Sequence, residues 1–174
     1  MSSAPDYCEP IVGWRVWHAL ERNGDVYLRS LFHRVRWPWR EPLNGSCAVW
    51  HWPFLRKRPQ HSSPDEECQC GIYASSLETA SAYVSPPRGG PWRIPTEWSV
   101  IGEVELWGRV VEHTHGWRAA FAYPKALFVL ANSRTRAQRR EASHVTWQLE
   151  RYGVPVELLN STRAESVVAA LGRR

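Results

Sequence analysis

Cys47, His61, Cys68 and Cys70 are the residues in this chain whose types and spacing best suit a defined chemistry. Thiolate sulfur and imidazole nitrogen are the ligands tetrahedral zinc selects, and Cys47-x13-His61-x6-Cys68-x-Cys70 supplies four of them. Cys68 and Cys70 flank Gln69, so both sulfurs can face one ion from an extended or turned backbone, and Gly71 lets the chain fold close to them. A disulfide between those two would be strained. Four protein ligands leave no open coordination position, so the expected ion is a structural Zn that stabilises and does not catalyse. Two substitutions stay open on spacing alone: His51 for His61, and Cys8 for Cys47. Without a metal, Cys47 would be a small buried hydrophobe and His61 a solvated loop residue.

Two other clusters carry charge. Glu112, His113 and His115 meet at a turn, with Glu103, Glu105 and Arg118 near in sequence, a set that could do general acid/base work if a partner oriented one imidazole. With the turn centred on Thr114 and His115, Val111 faces Arg118 and Trp107 faces Ala122, which puts Trp107, Arg109 and Arg118 on one side of the ribbon. No phosphate loop, dinucleotide glycine fingerprint, Gly-x-Ser-x-Gly or His-Glu-x-x-His is present, so no residue is assigned a catalytic role. Further on, Arg134, Arg136, Arg139 and Arg140 crowd the start of a helical stretch, against the helix dipole. Arg136, Arg140, His144 and Trp147 fall on one stripe, and Arg136, Arg139, Arg140 and Trp147, with Arg109 and Arg118, form the candidate nucleic-acid-binding set.

These residues need a scaffold, and the chain has the means to build one. Its 174 residues are 43% hydrophobic and 22% charged, the balance of a globular chain with a real core. Net charge is +5, yet Lys57 and Lys125 are the only lysines among 22 basic residues. That bias has two readings, contact with phosphates or codon usage in a high-GC genome. Eleven tryptophans, several in the pairs Trp14/Trp17, Trp37/Trp39 and Trp50/Trp52, must supply much of the core. The longest apolar run, 126–131, is far too short to cross a bilayer, and residues 1–10 hold Asp6 and Glu9 without a basic or apolar region, so neither a membrane span nor a secretory signal is expected. The expected compartment is the cytoplasm.

Hydrophobic runs at 12–20 and 26–32 around Asn23-Gly24 predict a β-hairpin. Stretch 37–64 is irregular and would wrap around the metal. A short strand at 71–74 precedes a helix that Ser75 and Glu78 would cap, and 85–95 is a Pro/Gly-rich loop. A second hairpin spans 100–111 and 117–123, with a further strand at 127–130. The helical spacing of Ala142, Val145, Leu149 and Tyr152 predicts a helix within 133–152, stopped by Gly153. A strand at 154–159 follows, then a helix capped by Thr162 and Glu165 and ending at Gly172. The expected fold class is α+β: an antiparallel β-sheet or partly open barrel, a metal-stapled loop and a C-terminal helix-strand-helix element. The expected organisation is a flexible N-terminus (1–10), a zinc-stapled β-rich domain (11–131) and a C-terminal α/β element packed on it (132–174).

Cys47, His61-x-x-Pro64, Cys68-Gln69-Cys70-Gly71-Ile72-Tyr73-Ala74 and the 102–119 run, with its Leu-Trp-Gly-x-Val-Val-Glu-His core, together resemble a group of uncharacterised proteins of high-GC bacteria. The resemblance covers about the middle half of the chain, implies that the four ligands and the second hairpin belong to one module, and favours His61 over His51. It brings no activity with it. The functional expectation is a zinc-stabilised intracellular recognition module for a protein partner. The alternatives are a nucleic-acid-binding protein using the Arg-rich helix and exposed Trp, or an enzyme with a site near Glu112 and His113.

Overall fold

The computed structural model describes residues 6–33, 35–47, 61–84, 97–133 and 135–173, with side chains from Glu9 onward. In chain order the elements are β1 (Asp6–Arg22), β2 (Asp25–Ser30), β3 (Leu43–Asn44), β4 (Ile72–Ser75), α1 (Leu77–Ser81), β5 (Glu97–His113) and β6 (Gly116–Leu130). After these come α2 (Arg136–Leu149), a 3-10 turn (Glu150–Tyr152), β7 (Val156–Leu159) and α3 (Ala164–Leu171). Of the segment expected to be a flexible N-terminus, residues 1–5 lie outside the described residues, and β1 begins at Asp6. The 85–95 loop (residues 85–96 are not described), His51 and the Trp50/Trp52 pair lie outside them too.

Both predicted hairpins form. β1 and β2 pair antiparallel around Asn23-Gly24, whose φ values of 55° and 81° are the two left-handed residues that a two-residue hairpin turn needs. β5 and β6 pair around Thr114-His115, with His113 opposite Gly116. β6 is one continuous strand, not the two short strands expected either side of Pro124. The register shifts between Glu103 and Val104, and at that irregularity a residue without an N–H is tolerated within a sheet.

β5 lies between β1 and β6. On its other side β6 carries β4, β3 and β7 in succession, the first two antiparallel and β7 parallel, so the seven-stranded sheet is mixed. β4 also touches β1 at Ser75 and Trp14, which draws β1, β5, β6 and β4 into a partial ring without closing a barrel.

Strand alternation divides the core between two faces. Leu127 and Val129 belong to one cluster, with Trp17, Leu28, Trp37, Val104 and, from α2, Val145 and Leu149. Phe128 and Leu130 point to the other, with Val16, Ile101, Leu77 of α1 and Val167 of α3. The apolar run 126–131 is therefore a strand covered on both sides. Trp17 and Trp37 are wholly buried and meet edge to face at 5.3 Å, while Trp14 and Trp39 pack at the core's margin.

Helix ends follow local chemistry. Ser76, one residue after the expected cap, accepts from Thr79 N–H at the start of α1. Thr135 and Gln138 form a reciprocal capping box on α2, and Gly153, with φ 72°, closes the 3-10 turn that follows it. α3 begins after Arg163 without a side-chain cap, so the predicted Thr162 cap is not used.

Candidate metal centre

The chain reaches the ligands from two directions. After β3, Gly45 N–H donates to Ala120 O at 2.7 Å, holding the approach to Cys47 against β6. Before β4, Cys68 N–H bonds Asp65 O at 3.2 Å and Glu67 N–H bonds the Asp65 carboxylate at 3.0 Å, so a tight turn presents Cys68. Gly71 then takes φ 116°, which confirms the need for glycine there. A Cβ at that position would lie 3.0 Å from Pro64 Cβ and 3.1 Å from Arg118 Cβ.

Cys47, His61, Cys68 and Cys70 converge, with one ligand atom from each lying within 4.8 Å of all the others. Cys47 Sγ is 3.6 Å from Cys68 Sγ, and Cys70 Sγ is 3.6 Å from His61 Nε2. A tetrahedral ion with ordinary Zn–S and Zn–N bonds sets such edges at roughly 3.5 to 3.8 Å. These four residues lie close enough to bind a metal ion, and the three cysteines are free thiols. His51 and the Cys8 side chain, the open substitutes, lie outside the described residues.

Crowding perturbs the thiols. Cys68 is pulled below the ordinary thiol range, first by a hydrogen bond from the Cys70 backbone and then by Cys47. Cys47 is pushed up to about 12, first by burial, then by its bond to Cys68 and the negative charge of Cys70. Three sulfurs this close cannot all ionise unless a cation offsets their repulsion, which is what a divalent metal supplies.

Arg118 is buried and serves this loop. Its Nη1 donates to the carbonyl oxygens of Cys68, Cys70 (3.1 Å) and Asp65 (3.3 Å). Nothing in the spacing of the cysteines pointed to it. The register on which a shared face of Trp107, Arg109 and Arg118 rested also differs. Trp107 pairs with Phe121, because Gly108 and Arg109 bulge opposite Ala120, with Gly108 at φ 73°. Val111 does face Arg118. Arg109, Gly108 and Phe121 line an open groove of about 570 Å³ that Cys47 and His61 also border.

At the hairpin tip, His113 Nδ1 accepts a long bond of 3.4 Å from His115 N–H, and its Nε2 is buried without a partner. Glu112 is exposed, and no carboxylate bonds either imidazole among the described residues. Sequence reasoning also missed a polar network across three strands: Glu97, only 8% exposed, meets His18 Nδ1 at 3.1 Å and Arg29 Nη2 at 2.9 Å. On α2, Arg136, Arg139, Arg140, His144 and Trp147 are all exposed, and no helix among the described residues is long and apolar enough to cross a membrane.

Comparison with protein-family models, curated proteins and solved structures finds no match to this chain.

Proposed function

We propose that this chain is a zinc-stabilised binding module in which Cys47, His61, Cys68 and Cys70 hold one structural Zn. The carrying observation is the convergence of four ligand atoms within 4.8 Å, in a Cys3His set that leaves no open position for catalysis. A Cys3His zinc site needs its thiols kept reduced, which is compatible with a cytoplasmic location. The likeness to proteins of high-GC bacteria groups the ligands with the second hairpin, and the bonds from Arg118 of β6 to the ligand loop support that grouping. Metal analysis of purified protein tests the reading. One zinc per chain is expected, and well-folded protein with a stoichiometry near zero refutes it.

Two partner readings have support. For a protein partner, Phe32 and Tyr83 are 62% and 51% exposed and meet edge to face at 5.9 Å, a small aromatic anchor. Cross-linking to a partner should be lost in the Phe32→Ser/Tyr83→Ser double variant. For nucleic acid, the α2 stripe of Arg136, Arg140, His144 and Trp147 faces solvent along its whole length. The second rests on the more extended surface.

A further inference from the structure

A second basic surface adjoins the end of α2. Trp39 carries two guanidiniums, Arg151 with its Cζ 4.0 Å from the ring centroid and Arg36 at 4.6 Å, and Arg36 also lies 4.7 Å from the centroid of Tyr27. Stacking fixes a guanidinium by its face and leaves its N–H edges available, so little side-chain freedom remains to be lost on binding. Arg40 joins them. Its backbone N–H is tied to Tyr123 Oη at 2.6 Å, and its Cζ lies 3.9 Å from where a Cβ on Gly153 would sit.

Asp25 pairs with Arg151, but Arg36 and Arg40 form no ion pair among the described residues, nor do their acidic neighbours in sequence, Glu41 and Glu150. Gathering like charges costs Coulomb energy that a bound anion would offset.

The patch continues into α2. Stepping back from Arg151 by three or four residues reaches Trp147, His144, Arg140 and Arg136, all exposed. Over its 14 residues α2 adds about 21 Å of length to the surface. The occupant that matches is an extended polyanion. Trp147 is 63% exposed and its ring lies 5.9 Å from that of His144, a shelf for base faces, which a duplex keeps hidden and a single strand offers.

We propose that Arg36, Arg40 and Arg151 around Trp39, together with the exposed stripe of α2, form one binding surface for single-stranded nucleic acid. Phosphates lie on the arginines and bases stack against Trp147 and His144. This inference rests on the nucleic-acid reading of α2 and adds the stacked-arginine patch to it. RNA and DNA strands present the same chemistry, so both enter the test.

The experiment is fluorescence anisotropy of the zinc-loaded full chain with a labelled oligonucleotide of about 16 nucleotides, as single-stranded RNA, single-stranded DNA and duplex, across a salt series. Wild type should bind both single strands at low salt and the duplex more weakly. Arg36→Gln/Arg40→Ser should weaken binding several-fold and flatten the slope of log affinity against log salt by about 1.4, the value for two lost single-strand phosphate contacts. Arg40→Ser alone keeps the test valid if the double variant disturbs the Trp39 stack, because the Arg40 side chain makes no hydrogen bond among the described residues. It should flatten the slope by about half as much. Unchanged affinity and slope in both patch variants, with Arg136→Ser/Arg140→Ser weakened, overturns the patch and leaves the α2 reading standing. No binding of any single strand at low salt overturns both. Duplex bound as tightly as single strands, with Trp147→Ala neutral, overturns the single-strand assignment.

Discussion

Arg118 stands directly across from Tyr73 in the β4–β6 pair, and both side chains turn back onto the same cysteine loop. Tyr73 Oη donates to Gln69 O at 2.7 Å, while Arg118 donates to the carbonyls of the two flanking cysteines. The loop has no regular structure of its own, so the sheet supplies its shape. A divalent ion held by three thiolates would keep a net negative charge, and Arg118 is a cation placed beside the loop that would offset it.

Replacing Arg118 should therefore cost both stability and metal. Arg118→Met leaves three carbonyls without their charged donor, for an expected loss of about 3 kcal/mol in urea unfolding. It should also release zinc to a chelator faster than wild type does. Arg118→Lys should recover only part of either effect, because an ammonium cannot reproduce the guanidinium fork. A variant with wild-type zinc retention would show that the loop is held by its metal alone.

Tyr152 plays the same kind of role on the opposite side of the core. Its hydroxyl accepts from Leu28 N–H at 2.9 Å and donates to Trp37 O at 3.0 Å, tying α2's end to β2 and to the Trp37 segment. Tyr152→Phe strands a buried donor and a buried acceptor, so a loss of about 2 kcal/mol is expected, measured by chemical denaturation. Burial also raises the phenol's pKa. The stability it contributes is full below pH 10 and declines as the pH climbs higher, where the unfolded chain ionises first.

What the sequence disclosed follows the range of the forces involved. Asn23-Gly24, the spacing of Ala142, Val145 and Leu149, and the Cys47/His61/Cys68/Cys70 set are all local or chemically specific signals: the turn and the helix form where they were read, and the four side chains lie close enough to bind a metal ion. The Trp107 register was misread because the bulge at Gly108 and Arg109 puts two residues of β5 opposite one of β6, a pairing set by the partner strand and not by the local pattern. Pro124 hid the continuity of β6, since a proline's tolerance depends on the partner strand. The task of Arg118 was illegible because its carbonyl partners lie about 50 residues away in sequence. The Thr135-x-x-Gln138 capping box was visible and could have fixed the start of α2.

His113 should give the fold an acid limb. Burial, Arg118 and His115 together hold its pKa below 6.5. The unfolded chain then takes up this proton first as the pH falls, so stability is complete above pH 6.5 and declines below it. Arg118 and His115 are the groups that act on the ring electrostatically, and Tyr73 packs against it. In His113→Gln, thermal unfolding followed between pH 7 and pH 5 should lose part of its pH slope. An unchanged slope would assign the acid limb to other groups.

Two glycines with positive φ separate backbone strain from metal-site geometry. Gly24 has φ 81° and open space around its Cβ position, so Gly24→Ala carries only the left-handed penalty of about 1 kcal/mol. Gly71 has φ 116° and would drive its Cβ against both Pro64 and Arg118, the residues on either side of the ligand loop. Gly71→Ala should therefore be the more destabilising of the two and should lower zinc retention, while Gly24→Ala leaves zinc at wild-type stoichiometry. Metal content and melting temperature measured side by side decide the matter. Equal zinc in the two variants would mean that the close approach at Gly71 shapes the strand entry and not the ligand cluster.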